Sequence, residues 1–468
     1  MLPVDWRVAL DPSVRRIDDG LVLVGGFPLR LLRLTPTGAR LLDALDGGAP
    51  VPQTATAQQL VRRLLDAGIV HPRPGATSLA RSNVTVVIPA RDRAPALAGV
   101  DGVARVVVVD DGSRDPRLVA TAAERGAVVV RHPSSRGPGA ARNTGLQHVE
   151  TDLVAFVDAD CEPSDGWLEE LLPHFGDDAV VAVAPRITTT IPSSLPGGLQ
   201  RYESARPALD RGEREAIVRP RSPVPFVPTA ALVARRRVLD EVGGFDERLR
   251  FGEDVDLVWR LIAAGGTVRY EPRATVAHAA RATAGAWVRQ RFDYGTSAAP
   301  LAQRHGTAVA PLAVSPWSAA VWSLAGLGQP AAGAAVAAGT TGLLAPRLKG
   351  LQHPWREAVQ LAGKGHLYAG AALADAVRRS WWPLALAAAV GSRRARVGVA
   401  AAATVPALVE WRARRPGLGP VRWTALRLLD DVAYGAGVWA GCIRERSWRA
   451  LRPDLTSWPG RRPPVEPT

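Results

Sequence analysis

Cysteine is nearly missing from this 468-residue chain, where Cys161 and Cys442 are the only two. Two cysteines cannot build a disulfide framework or a Cys-based zinc site, and their scarcity fits a reducing compartment. Lysine is scarce too: of 58 basic side chains, Lys349 and Lys364 are lysines and the rest are arginines. The net charge is +14, yet the arginines are scattered and form no long basic tail, so a nucleic-acid partner is not expected. With one methionine and 39 prolines, the arginine excess reads as GC-rich coding bias. Arginine also suits diphosphates, because its planar fork bonds oxyanions bidentately. The opening stretch MLPVDWRVALDPSVRRIDDG lacks the apolar core of a secretion signal, which points to the cytoplasm. A hydrophobic fraction of 47% is ordinary for folded protein, and the length calls for two or three domains.

Three regions differ in texture. Residues 1–75 contain a strand-like LVLVGG (Leu21–Gly26), then LTPTGARLLDALDG and AQQLVRRLLDAGIV, both with apolar residues at helical spacing. Thr35 and Thr37 are candidate caps, and Gly47 and Gly68 candidate stops. The Pro-, Gly- and Ser-rich stretch His71–Ser82 reads as a linker. From residue 83 to 296, VTVVIP, ARVVVVDDGS, AVVVRH and LVAFVDAD alternate with helix-like stretches. Continuous apolar strands separated by helices predict an α/β domain with a mainly parallel, Rossmann-like sheet, whose ligands bind beyond the strands' carboxyl ends. Residues 297–468 are Ala-rich and helical in character. The 41 positions from Gly306 to Pro346 carry no Asp, Glu, Lys or Arg, and further apolar clusters lie at Trp381–Val390 and Val397–Val409. A spanning helix needs about 20 apolar residues, so the run is long enough for two spans and membrane attachment is expected. Pro311, Pro316 and Pro330 interrupt it, and an Ala-rich bundle in water is the other reading.

The chemistry lies in where the carboxylates fall. Asp110 and Asp111 end the second strand of the middle region, and Asp158 and Asp160 end the fourth. In a parallel sheet these ends share one edge, so two such pairs converge on one crevice. In an extended chain, Asp158 and Asp160 point the same way and can engage a hard divalent cation such as Mg²⁺ or Mn²⁺. Such a cation would neutralise a leaving diphosphate. Further on, Glu253 and Asp254 precede the apolar helix face of Leu257, Val258, Leu261 and Ile262. A carboxylate at that helix start is stabilised by the helix dipole and can act as general base. Spacing does not separate capping from catalysis here, and one residue can do both.

The segments VTVVIPARDR, VVVVDDGS, RGPGAARNTGL, VAFVDAD, VGGFDERL and GEDVDLVWRL together resemble the inverting glycosyltransferases of family 2, of the GT-A fold. The resemblance implies that Pro89, Arg91, Asp111 and Arg142 surround a nucleotide sugar. It implies that Asp158 and Asp160 serve its diphosphate and metal, with His278 as a further metal contact. Asp254 would be the base, and Glu253 would shape the acceptor side. Gln290-Arg291-Phe292 is similar to a signature of processive synthases but lacks its spacing. Residues 1–75 resemble small winged-helix peptide-binding domains of peptide maturation systems. The fused order is similar to the glycosyltransferases of the mycofactocin system. That likeness implies glucose transfer from UDP-glucose to a peptide-derived redox cofactor, on the cytoplasmic face of the membrane. A lipid or cell-envelope glycan acceptor is the alternative, and a peptide-binding scaffold is the non-enzyme alternative.

Overall fold

The Thr35 hydroxyl accepts a hydrogen bond from the Gly38 amide at 3.1 Å, and that of Thr54 accepts from Ala57 at 3.4 Å. These caps satisfy amides that have no partner within the helix, and so start α1 (Pro36–Asp46) and α2 (Ala55–Asp66). Thr37 lies inside α1 and does not cap it. Both helices bury one apolar face, including Leu42, Leu45, Val61 and Leu64. Beside them, β1 (Arg7–Leu10) is followed by a three-stranded antiparallel sheet of β2 (Arg15–Ile17), β3 (Val22–Gly25) and β4 (Arg30–Arg33). The expected linker begins later than its composition suggests. His71 to Arg73 belong to β5 (Val70–Arg73), which pairs antiparallel with β1.

The computed structural model describes residues 2–455. They form two compact units, one of residues 2–191 and 206–280, the other of residues 192–205 and 281–455. The first 75 residues and the sheet region therefore share one unit. Arg62 forks onto the Asp177 carboxylate at 2.9 and 2.8 Å, and Arg73 donates to Glu215 at 2.6 Å. His71 stands between Asp11, at 2.7 Å, and Arg269, at 3.1 Å.

The sheet itself has nine strands. The first four are β6 (Val84–Ala90), β7 (Arg105–Asp110), β8 (Val128–Arg131) and β9 (Leu153–Val157). They pair parallel in the order β8-β7-β6-β9, as continuous apolar runs predict for a sheet covered on both faces. Helices α3 (Arg117–Glu124) and α4 (Pro138–Leu146) are the crossovers on this side, and α5 (Trp167–Leu171) follows. The other side was not expected from the sequence. There β10 (Cys161–Pro163), β11 (Val180–Thr190), β12 (Ala216–Ile217), β13 (Ala231–Arg235) and β14 (Thr267–Ala279) pair antiparallel except for β11 with β14. The chain leaves for the second unit through α6 (Gly197–Ala205), then returns for α7 (Arg236–Glu241) and α8 (Glu253–Ala263).

The second unit is helical. Beyond α6 it holds α9 (Ala284–Thr296), α10 (Ala298–His305), α11 (Pro316–Gly326), α12 (Pro330–Leu344), α13 (Pro354–Arg379), α14 (Trp382–Gly391), α15 (Arg393–Arg414) and α16 (Pro420–Arg444). The expectation of spans in the uncharged run is not met. That run folds into α11 and α12, of 11 and 15 residues, each below the roughly 20 that a span needs. Prolines at the first turns of both helices and a glycine turn between them set those lengths. Among the described residues, no helix is long and apolar enough to cross a membrane.

Charge is buried inside this unit instead. The Arg291 guanidinium is paired with Glu203 and lies 3.5 Å from Asp430. Trp287 donates to Glu203 at 2.7 Å and Tyr202 to Asp430 at 2.8 Å. Asp431 meets Arg427, Arg379 and Arg378. Arg291, from the motif similar to the processive signature, is thus an internal tie. Removing one partner of such a pair strands a buried charge, at a cost of about 3–5 kcal/mol. Arg291→Ala is expected to destabilise the helical unit by that amount, read as a lowered thermal transition. A variant that melts like the parent would contradict the assignment.

Candidate active site

Register places the strand ends flush. Ala90 of β6 is opposite Asp110 of β7, and Asp110 is opposite Arg131 of β8. Pro89 is half-buried at the end of β6, and Arg91, the next residue past the strand, is exposed. Asp158 follows β9 directly, and its amide donates to the Ala230 carbonyl at 2.9 Å.

The first carboxylate pair builds the wall of this crevice. Asp110 accepts from the Ser113 amide at 2.9 Å and from Arg131 at 2.8 Å. Asp111 is more heavily engaged. One of its oxygens takes bonds from His132 Nδ1 at 2.8 Å and the Arg136 amide at 2.7 Å. The other takes bonds from the Ser135 hydroxyl at 2.7 Å and the Gly137 amide at 2.9 Å. Burial alone would raise the Asp111 pKa, but these donors outweigh it and hold the carboxyl below its ordinary value.

Arg142 of α4 is the hub. Its guanidinium is buried, donates to Asp158 at 2.6 Å and to Glu253 at 2.9 Å, and stands 5.4 Å from the centre of the Phe245 ring. Burial would lower its pKa, but the two carboxylates more than offset this and keep it protonated. Through this one side chain, the end of β9 and the start of α8 meet. Glu253 and Asp254 open α8, where the first-turn amides favour anions. Burial pushes Glu253 up to about 7, helped by the neighbouring Asp254 charge and opposed by Arg142. Burial also raises Asp254, against the Val255 amide bond at 2.8 Å and the charges of Arg142 and Arg211. Asp254 keeps some solvent exposure, whereas Glu253 is buried.

The two carboxyls titrate as a pair, with a sign that can be measured. A base raised in this way is protonated over a wider acidic range. Activity that needs Asp254 ionised is expected in full at high pH and lost, as pH falls, at a higher pH than the value of about 4 of an ordinary aspartate. A pH profile of turnover checks this, and loss only near about pH 4 would contradict it. The same shifts make folding less favourable as pH rises above the ordinary carboxylate range, since the folded state holds a proton the unfolded chain has released.

The expected geometry of the Asp158–Asp160 segment needs a correction. Asp158, Ala159 and Asp160 are not extended but form a turn, closed by the Cys161 amide on the Asp158 carbonyl at 2.9 Å. The i, i+2 alignment expected of a strand therefore does not apply. Asp158 engages Arg142, while Asp160 lies 3.5 Å from His278 Nε2. Pairing of Cys161 with His278 across β10 and β14 brings that histidine in. Among the described residues, no three His, Cys, Asp or Glu side chains are arranged to hold an ion by themselves. Asp160 and His278 are close enough to approach one cation together, which would need further oxygens from a substrate.

His132 and Thr144 escaped the sequence reading. His132 is buried, with Nδ1 against Asp111 and Nε2 2.9 Å from the Thr144 hydroxyl. The only sequence signal was its place just past the apolar run that became β8.

The chain is similar to proteins already known. The profile described as Glycosyl transferase family 2 matches residues 85–243. Pre-mycofactocin glycosyltransferase of Mycobacterium tuberculosis is 44% identical over 97% of this chain and 98% of its own. Glycosyltransferase AglE of Haloferax volcanii is 30% identical over 38% of this chain and 57% of its own. Among solved structures, the mannosyltransferase PcManGT of Pyrobaculum calidifontis, in complex with GDP-Man and Mn²⁺, aligns with a TM-score of 0.37. Its identity is 19%, over 64% of this chain and 87% of that one.

Proposed function

The chain belongs to glycosyltransferase family 2, with the GT-A fold, and from that premise we propose that it moves glucose from UDP-glucose onto a peptide-derived acceptor of the pre-mycofactocin kind. The observation that carries the reading is Arg142 bridging Asp158 and Glu253, which gathers the strand-end carboxylate and the start of α8 into one crevice. The near full-length likeness to pre-mycofactocin glycosyltransferase supports the acceptor. In this reading Asp254 takes the proton of the acceptor hydroxyl as that oxygen attacks the anomeric carbon. The bond to the nucleoside diphosphate breaks on the opposite face, so the configuration inverts. Glu253 shapes the acceptor side and fixes Arg142. Pro89, Arg91, Asp111, Arg142 and Asp158 line the nucleotide-sugar side. Mg²⁺ or Mn²⁺ held by Asp160 and His278, with Asp158 alongside, would neutralise the leaving diphosphate.

The flanking parts fit the same proposal. In the first 75 residues, Phe27, Leu29 and Leu31 are exposed along β4 and its approach, a surface suited to a peptide. In the helical unit, Leu367, Tyr368, Leu384, Leu386, Val390 and Val397 are exposed on α13 to α15. They support attachment in the plane of the cytoplasmic membrane face, without a span.

The test is a panel of nucleotide sugars with Mg²⁺ or Mn²⁺, scored by nucleoside diphosphate release with and without acceptor. Release from UDP-glucose, stimulated by the peptide-derived acceptor, is the expected result. Stimulation by a lipid acceptor alone would replace the peptide reading. No release from any nucleotide sugar would overturn the proposal.

A further inference from the structure

Helix α14 (Trp382–Gly391) is apolar on every side: its sequence is WPLALAAAVG, and apart from the Trp382 indole it carries no polar side chain. A helix of that kind is normally buried in a core or in lipid. Yet none of its residues is buried in the helical unit. We propose that α14 and the turn after it are a docking site for an anionic phospholipid surface, with the helix among the lipids and Arg393, Arg394 and Arg396 on their phosphates. This rests on the membrane attachment proposed above, and it names the part of the chain and the lipid chemistry that produce it.

The first observation is that exposure runs around α14. Leu384 and Leu386 are two positions apart, roughly 200° around a helix of 3.6 residues per turn. Both are more than half exposed, as is Val390. A flat protein partner covers one such side, whereas a lipid layer covers both.

Second, the turn that ends the helix is basic, and the chain around it holds no carboxylate. From residue 376 to 409 there are five arginines and no Asp or Glu. Of the five, Arg393, Arg394 and Arg396 are exposed. Such a patch suits phosphate headgroups. It opposes a second copy of the chain, because a two-fold contact would set the same basic patch against itself.

Third, these arginines and an apolar tip are tied together. Arg396 donates to the carbonyls of Ala389 and Val390 at 3.2 and 3.4 Å, at the end of α14. Arg394 donates to the Leu327 carbonyl at 2.9 Å, which brings the turn between α11 and α12 alongside. Each bond uses a single nitrogen of a group with five N–H donors. The exposed Leu327, Val390 and Val397 thus share one tip with the three guanidinium groups. The orientation follows from length. The 10 residues of α14 span about 15 Å, half the hydrocarbon thickness of a bilayer. An upright helix would carry the arginines to the bilayer centre at high cost, while a helix in the plane keeps them at headgroup level.

Sedimentation of the full chain with vesicles tests the site. Binding to mixed phosphatidylglycerol and phosphatidylcholine vesicles is expected, with little to phosphatidylcholine alone. Arg393→Gln, which disturbs neither carbonyl bond, should weaken anionic binding roughly fivefold, and salt at about 0.5 M should erase that difference. Leu386→Ser combined with Val390→Ser should weaken it roughly tenfold, a loss that salt does not erase. The thermal transition should stay unchanged, because both side chains are exposed. Equal binding to neutral and anionic vesicles, or anionic binding that both variants retain, would overturn this site and leave membrane attachment standing. Binding to neither vesicle would overturn both readings. A concentration-dependent dimer abolished by the serine pair would replace the lipid with a second copy of the chain.

Discussion

Asp254→Asn is expected to lower transfer by roughly 100- to 10,000-fold, the range a positioned general base contributes. Asparagine preserves size and can still accept the Val255 amide bond made by the aspartate at 2.8 Å. What it lacks is the ability to take a proton from the acceptor hydroxyl. Binding of the nucleotide sugar should survive, because Asp158 and Arg142 are left untouched. The measurement is turnover beside calorimetric binding of UDP. Normal turnover would remove Asp254 as the base, and loss of binding in step with turnover would make it a donor-site residue instead.

Arg142→Met should have the second largest effect, and in two readouts at once. Methionine fills much of the volume but leaves buried Glu253 and the adjoining Asp158 without their cation. Breaking a buried pair from one side costs about 3–5 kcal/mol, so the thermal transition of the sheet-bearing unit should drop. Arg142 also holds both carboxyls of α8 below where burial would drive them. Without it Glu253 and Asp254 should climb further, and the acidic loss of turnover should move to higher pH. A variant that kept the parent's pH profile would show that Arg142 does not act on these carboxyls, whatever its effect on stability.

The sequence made the parallel half of the sheet legible and left the antiparallel half dark, for a physical reason. β6, β7, β8 and β9 are apolar runs that end in turn residues, a local signal. The 13-residue β14 is interrupted by Glu271, Pro272 and Arg273, and its partners lie far away in the chain. Pairing of that kind is decided by tertiary contact. The uncharged run from Gly306 is long enough for two spans, but prolines and a glycine turn divide it into helices too short to span.

The site divides in the same way. Asp111, Asp158 and Asp254 were visible as carboxylates at strand and helix ends. Which of them face one another was not, since the answer passes through Arg142, a single buried side chain on a third element. Asp158 and Asp160 were read as parallel because an extended backbone was assumed, and the turn sends them to different partners. His132 gave almost no signal, because its meaning depends on Asp111, 21 residues earlier, and Thr144, 12 residues later.

The central claim is a single displacement at this crevice with Asp254 as base, and the configuration of the new glycosidic bond tests it most directly. Proton NMR of the product formed from UDP-α-glucose, read before any anomeric equilibration, distinguishes the two outcomes. The account predicts a β-linked glucoside from the parent chain and loss of product from Asp254→Asn. An α-linked product would mean retention, and would contradict the mechanism.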